Sequence, residues 1–114
     1  MKVYSGSVNR GQKHVTVQSG TTTTQLLGLD VFAPNFAWGF HGAGPDELSV
    51  AILHDYFEDK DTKFGGRIAK LYGKFTEDVT STLSRDRAWV VKEERVEKWV
   101  NDQALELAIE PSVR

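Results

Sequence analysis

No cysteine occurs among the 114 residues, which removes disulfides, thiolate metal sites, iron–sulfur clusters and thiol catalysis together. Proline is scarce, with three residues, and methionine scarcer, with one. Neither charge dominates: fourteen Lys and Arg against sixteen Asp and Glu leave a formal net charge of -2. The chain therefore lacks the basic excess of a bulk nucleic-acid binder and the acidic excess of a disordered or nucleic-acid-mimicking protein. Long apolar runs are missing too. The most apolar stretch, Leu48 to Phe57, is broken by Ser49, His54 and Asp55, and nothing approaches the roughly 18 residues of a membrane span. Met1-Lys2-Val3-Tyr4-Ser5-Gly6 has no apolar run behind its lysine, so no signal peptide is read and a cytoplasmic location is expected.

What remains is 39% hydrophobic and 11% aromatic residues, enough for one core. A chain this long buries about 65% of its unfolded surface, so residues 1–114 are expected to form a single domain. Its first part, 1–40, reads as strands and its second, 45–105, as helices. Val3, Tyr4 and Val8 precede the turn-like Asn9-Arg10-Gly11-Gln12-Lys13. His14-Val15-Thr16-Val17-Gln18 then alternates with period two, as a half-buried strand does, and Ser19-Gly20 marks the next turn. A hairpin follows from this pattern. Thr21 to Thr24 and Leu26 to Leu29 suggest a third, irregular strand. Phe36-Ala37-Trp38-Gly39-Phe40 reads as a buried strand or extended segment.

At Gly42-Ala43-Gly44-Pro45 the pattern changes. Proline suits a first helical position, and Asp46 and Glu47 complement the positive end of the helix dipole. A helix is predicted over about Pro45 to Glu58, apolar on all sides through Val50, Ala51, Ile52 and Leu53. Glu58 to Lys63 is a solvated link. Ile68, Leu71, Tyr72, Phe75, Val79 and Leu83 then fall on one helical face. Trp89-Val90-Val91 is a short extended piece. Lys92 to about Ala104 is a third helix burying Val96, Trp99 and Val100, and the tail after Glu110-Pro111 is expected to fray. The expected fold is α+β: a short antiparallel N-terminal sheet packed against three C-terminal helices.

The segment Phe36-Ala37-Trp38-Gly39-Phe40-His41-Gly42-Ala43-Gly44-Pro45-Asp46-Glu47-Leu48 resembles the signature of a family of small uncharacterised proteins found in bacteria, phages and plasmids. That signature reads Gly-Phe-x-Trp-Gly-Tyr-x-Gly-Ser-Gly-Pro-x-x-Leu-Ala, with a Tyr-x-Gly opening matched by Tyr4-Ser5-Gly6. Val15-Thr16-Val17, Ala51-Ile52-Leu53, Tyr72 with Phe75, and Trp89 followed by Trp99 extend the likeness over nearly the whole chain. Asn35, Ala43 and Asp46-Glu47 depart from it, standing where the family has glycine, serine and neutral residues. The resemblance implies no activity. It implies a mobile-element setting, in which interference with host machinery is one role.

Four features could carry function. The glycine-rich turn ahead of a helix offers backbone amides to an anion, with Trp38, His41, Gly42, Ala43 and Gly44 as its residues. Against that, Asp46 and Glu47 would repel phosphate, and the pattern is neither a Walker loop nor a dinucleotide fingerprint; the plainer reading is a sharp turn packed over Trp38 and Phe40. Lys63, Arg67, Lys70 and Lys74 form a basic stripe on the second helix, although Glu77 and Asp78 continue it and Lys74 suits an i,i+4 pair with Asp78. Phe57 and Phe64, flanking the charged link, are expected to be partly exposed and to dock a partner. His54 with Glu58 and Asp55 with Asp59 share helical faces, but no metal-ligand spacing completes a site. No catalytic motif, cofactor or metal is read. The expected function is non-enzymatic binding of a protein partner, with an anionic small ligand, such as a nucleotide or carboxylate, as the alternative. Nucleic acid and membrane are not expected partners, and a homodimer stays open.

Overall fold

The computed structural model describes residues 1–58 and 65–107, except for the side chains of 105–107. Four antiparallel strands and three helices follow in the order β1 (Lys2–Asn9), β2 (Gln12–Ser19), β3 (Thr22–Gln25), α1 (Ala43–Phe57), α2 (Gly66–Asp78), a 3-10 turn (Thr80–Thr82), β4 (Trp89–Lys92) and α3 (Glu93–Leu107). The fold is α+β, as the sequence predicts. The link from Asp59 to Phe64 and the tail after Leu107 lie outside the described residues.

The sheet runs β3-β2-β1-β4. The β1–β2 hairpin closes between Asn9 and Gln12 through Arg10 and Gly11, both with positive φ (53 and 78). That pair of left-handed residues is the type I′ turn, whose twist matches that of the flanking strands. Gly20 (φ 63) makes the corresponding turn between Ser19 and Thr22. β4 is a long-range addition. Trp89-Val90-Val91, an extended piece by sequence, joins β1 with Tyr4 opposite Val91 and Gly6 opposite Trp89. The sheet is therefore not built from the N-terminal half alone.

Alternation sends Tyr4, Val15, Val17, Trp89 and Val91 to the inner face, where all are buried. Each large side chain so buried stabilises the fold by about 1.5–3 kcal/mol. Gly6 makes room for this layer, because a Cβ there would collide with the Trp89 indole. Trp38 meets Trp89 edge to face, with ring centroids 5.4 Å apart at 83°. α1 occupies the centre of the molecule, with Leu48, Val50, Ile52 and Leu53 fully buried. It packs against α2 and the 3-10 turn and touches α3. The polar contact in that interface is a hydroxyl cluster: Ser49 Oγ lies 2.7 Å from Thr76 Oγ1 and 2.9 Å from Thr80 Oγ1, and donates to the Pro45 carbonyl at 3.0 Å.

One predicted element differs from what is observed. The second helical face continues to Leu83 in sequence, yet α2 ends at Asp78 and the chain tightens into the 3-10 turn. There Thr80 turns its hydroxyl to the Pro45 carbonyl, and its own carbonyl accepts the Gly39 N–H at 3.0 Å. Residues 36–40 form no strand and follow the other alternative of the sequence reading, an extended segment. Gly39 (φ 86) turns against the Arg85 backbone, where a Cβ would sit 2.7 Å from the Arg85 Cα.

Candidate functional site

The glycine-rich turn is the alternative ligand site by sequence, and packing accounts for much of it. Trp38 is completely buried, its indole N–H donating to the Arg87 carbonyl at 3.2 Å. It is a core residue with no surface to offer a ligand. A Cβ on Gly44 would lie 2.5 Å from that of Ala37, and one on Gly42 would lie 3.0 Å from the Phe40 ring. These glycines thus permit close approach of two chain segments. The Gly42 carbonyl opens α1 by accepting the Asp46 N–H at 3.1 Å, and Asp46 sits in the first turn. His41 and Ala43 are exposed beside them. The turn therefore brings together His41, Gly42, Ala43 and Gly44 at the surface, without Trp38.

The helical sites are also rearranged. Phe57 is only 8% exposed, and the Arg67 guanidinium lies 3.7 Å from its ring centre, so it is no exposed docking residue. Lys63 and Phe64 lie outside the described residues. Lys74 pairs with Asp78 at 3.1 Å, and Lys70 is exposed. Asp78 accepts the Trp99 indole N–H at 2.8 Å, which ties α2 to α3. That hydrogen bond, helped by Lys74, holds the Asp78 carboxyl below the usual aspartate range. Asp55 takes the Tyr4 hydroxyl at 2.8 Å and the Lys2 ammonium at 3.2 Å, with Glu58 3.5 Å from the same ammonium. This cluster is a clamp between β1 and α1. Among the described residues no three His, Asp or Glu side chains gather as a metal site.

A cleft that the sequence did not reveal lies beside β2. In an antiparallel ladder, successive residues direct their main-chain N–H and C=O alternately to the two neighbouring strands. The hairpin closure at Asn9–Gln12 directs the even residues of β2 toward β1. The odd ones face β3, as the bond from Leu26 N–H to the Val15 carbonyl at 2.9 Å shows. Two residues earlier Lys13 has the same outward orientation, and no strand meets it. Continued at the same register, the chain would place Gly28 there.

Glu47 explains why it does not. Fully enclosed on α1, its carboxylate accepts N–H groups from Leu29 (2.7 Å), Val31 (2.8 Å), Phe32 (2.8 Å) and Ala33 (3.4 Å). Hydrogen bonds to a charged acceptor are worth about 1.5–3 kcal/mol each in net terms. Such a set outweighs the one or two ladder bonds that the segment would gain by continuing β3. The chain leaves the sheet, passes over α1 and returns at residues 34–37. Between this return and β2 a half-open cleft of about 560 Å³ remains, continuous with a hollow of about 210 Å³ toward Leu27 and Gly28. Lys13, His14, Gln25, Asn35 and Phe36 line both parts.

The Lys13 side chain turns away from the opening. Its ammonium pairs with Asp86 at 2.8 Å and lies 5.6 Å from the centre of the Trp38 ring. That hydrogen bond from Lys13 in turn lowers the Asp86 carboxyl from its ordinary value. The residues common to both parts thus offer main chain, two side-chain amides, an imidazole and a phenyl ring, and Gln12 adds a third amide residue to the larger part. No local sequence signal marks this place, because it depends on Glu47, a residue that sequence places only in the first turn of a helix.

No helix among the described residues is long and apolar enough to cross a membrane. A family model described only as of unknown function matches residues 4–102. No curated protein and no solved structure matches the chain.

Proposed function

The chain belongs to DUF6166, a family of unknown function, so its kinship supplies no activity, and we propose from its own surface that it is a non-enzymatic binding protein acting by protein–protein contact. The observation that carries this reading is the cleft beside β2. Its lining pairs hydrogen-bonding groups without strong charge (the Lys13 main chain, Gln25, Asn35, His14) with the apolar Phe36. Such surfaces recognise polypeptide by fit and hydrogen bonding. Leu27, 70% exposed at the mouth of the adjoining hollow, adds an apolar contact of the kind found at interfaces. The mobile-element setting implied by the sequence resemblance makes a component of a host defence system our proposed partner, with the protein as its inhibitor.

Affinity capture from bacterial lysate tests the proposal, using the native chain and an Asn35→Arg variant that fills the cleft. A stoichiometric protein recovered with the first and lost with the second supports it. Recovery of no stoichiometric partner with either overturns it. The anionic-ligand alternative rests on the amides of Ala43 and Gly44 at the start of α1, which have no helix carbonyl to pair with, and on the exposed His41 beside them. Asp46 and the close contact of Ala37 with Gly44 oppose it. Thermal stabilisation by phosphate, a nucleotide or a carboxylate that disappears on adding a second negative charge at Ala43 (Ala43→Asp) would move that alternative ahead. No stabilisation by any of them removes it.

A further inference from the structure

We propose that an extended segment of a partner polypeptide adds to the sheet along Lys13, as a short strand inside the cleft and in line with β3. This deepens the protein-binding reading above and rests on it. The argument starts from main-chain valence. Lys13 directs one N–H and one C=O into the cleft, and neither has a partner among the described residues. Backbone groups of that kind are satisfied in nearly all native structures, by protein or by water. The chemistry that answers a donor and an acceptor at ladder spacing is another peptide group. β-Strand addition to a sheet edge is an established mode of recognition.

The protein's own chain cannot supply that group while Glu47 holds residues 29–33. By register Gly28 is the residue that would face Lys13, but the segment it begins is drawn onto α1. The vacancy is therefore built into the fold rather than left by fraying. Its walls suit an extended guest, whose side chains alternate in direction. Toward the inner face of the sheet, the guest residue opposite Lys13 meets Phe36. Its neighbours point to the outer face, beside His14. The amides of Gln25 and Asn35 stand at the rim, where guest peptide groups beyond the single ladder pair need partners. Because the Lys13 ammonium is already paired with Asp86, recognition rests on main chain and fit rather than on charge.

Selection of short linear peptides from a phage-displayed library on the folded protein supplies the probe. The winning peptide is then titrated into isotope-labelled protein. Strand addition predicts that the Lys13 amide shows a large shift and slowed exchange on binding. Single N-methylation along the peptide backbone weakens affinity about tenfold at the one residue that faces Lys13 and little at its neighbours. On the protein side, Lys13→Pro removes the outward N–H without touching a β1–β2 bond, and its affinity falls about tenfold below that of Lys13→Ala. Should Lys13→Pro fail to fold, the N-methyl series decides alone. The proposal is overturned by affinity indifferent to backbone N-methylation, by shifts confined to another face, or by no peptide binding below about 1 mM. If lysate capture still yields a partner lost in Asn35→Arg, strand addition falls while protein binding stands; if capture fails as well, both fall.

Discussion

The turn before α1 and the outer edge of β2 both present main chain at the surface, and the molecule treats them in opposite ways. At the turn, glycines draw two segments together. Ala37 sits against Gly44, Phe40 covers Gly42, and Asp46 supplies the negative charge that the helix end favours. There the Asp46 N–H is paired with the Gly42 carbonyl, and the remaining first-turn donors have a complementary charge beside them. At the edge, the sheet simply stops one residue pair early, and Lys13 is left facing open space. A conspicuous motif can thus be a packing device, while a place with no motif can hold the unmet chemistry. The residue that creates the difference is Glu47, adjacent in sequence to the turn but acting on the edge.

That contrast can be broken most severely at Glu47 itself. Glu47→Ala leaves three or four partly buried N–H groups without their acceptor and should destabilise the protein by about 3–4 kcal/mol. Urea unfolding measures this, and the Leu29, Val31 and Phe32 amides should lose hydrogen-exchange protection first. Next in size is Gly44→Ala. Its new methyl meets Ala37, so unfolding should shift by about 1–3 kcal/mol, with no change in response to added phosphate. A loss of stability below that range would mean that the turn is looser than its geometry implies.

The helical half offers a smaller, pH-dependent effect. The Asp78 carboxyl is depressed chiefly by the Trp99 indole N–H, so its contribution is present above the unfolded value of about 3.9. It is lost as pH falls through the lower folded value. The side chain is 30% exposed, so the effect stays below about 1 kcal/mol. Melting curves between about pH 5 and pH 3 should show a shallower acid loss for Asp78→Asn than for the native chain. Smallest of all is Gln25→Ala at the cleft rim. It should leave stability within about 0.5 kcal/mol while weakening capture of the partner, which separates an open recognition surface from a closed structural turn.

Much of the fold was legible because it is local. The alternation of His14 to Gln18, the Arg10-Gly11 turn and the apolar stripe from Ile68 to Phe75 each declare themselves within one element. The pairing of β4 with β1 was not legible. It joins Gly6 to Trp89 across most of the chain, and its cue is a glycine whose missing side chain accommodates an indole. Phe57 illustrates a second limit: its neighbourhood is charged in sequence, yet Arg67 folds back over its ring. Of the residues expected at the candidate site, His41 and the three positions after it do share a surface, whereas Trp38 lies in the core. The cleft residues Lys13, Gln25, Asn35 and Phe36 come from three separate stretches, brought together by a carboxylate on a fourth.

Amide hydrogen exchange of the free protein, compared at Lys13 and Val17, tests this account most directly. Both N–H groups point away from β1, but Val17 lies opposite Thr24 within the paired stretch. Fast exchange at Lys13 beside strong protection at Val17 is the predicted result. Equal protection at the two would mean that the β2 edge is closed, and would contradict the open ladder position on which the proposed recognition depends.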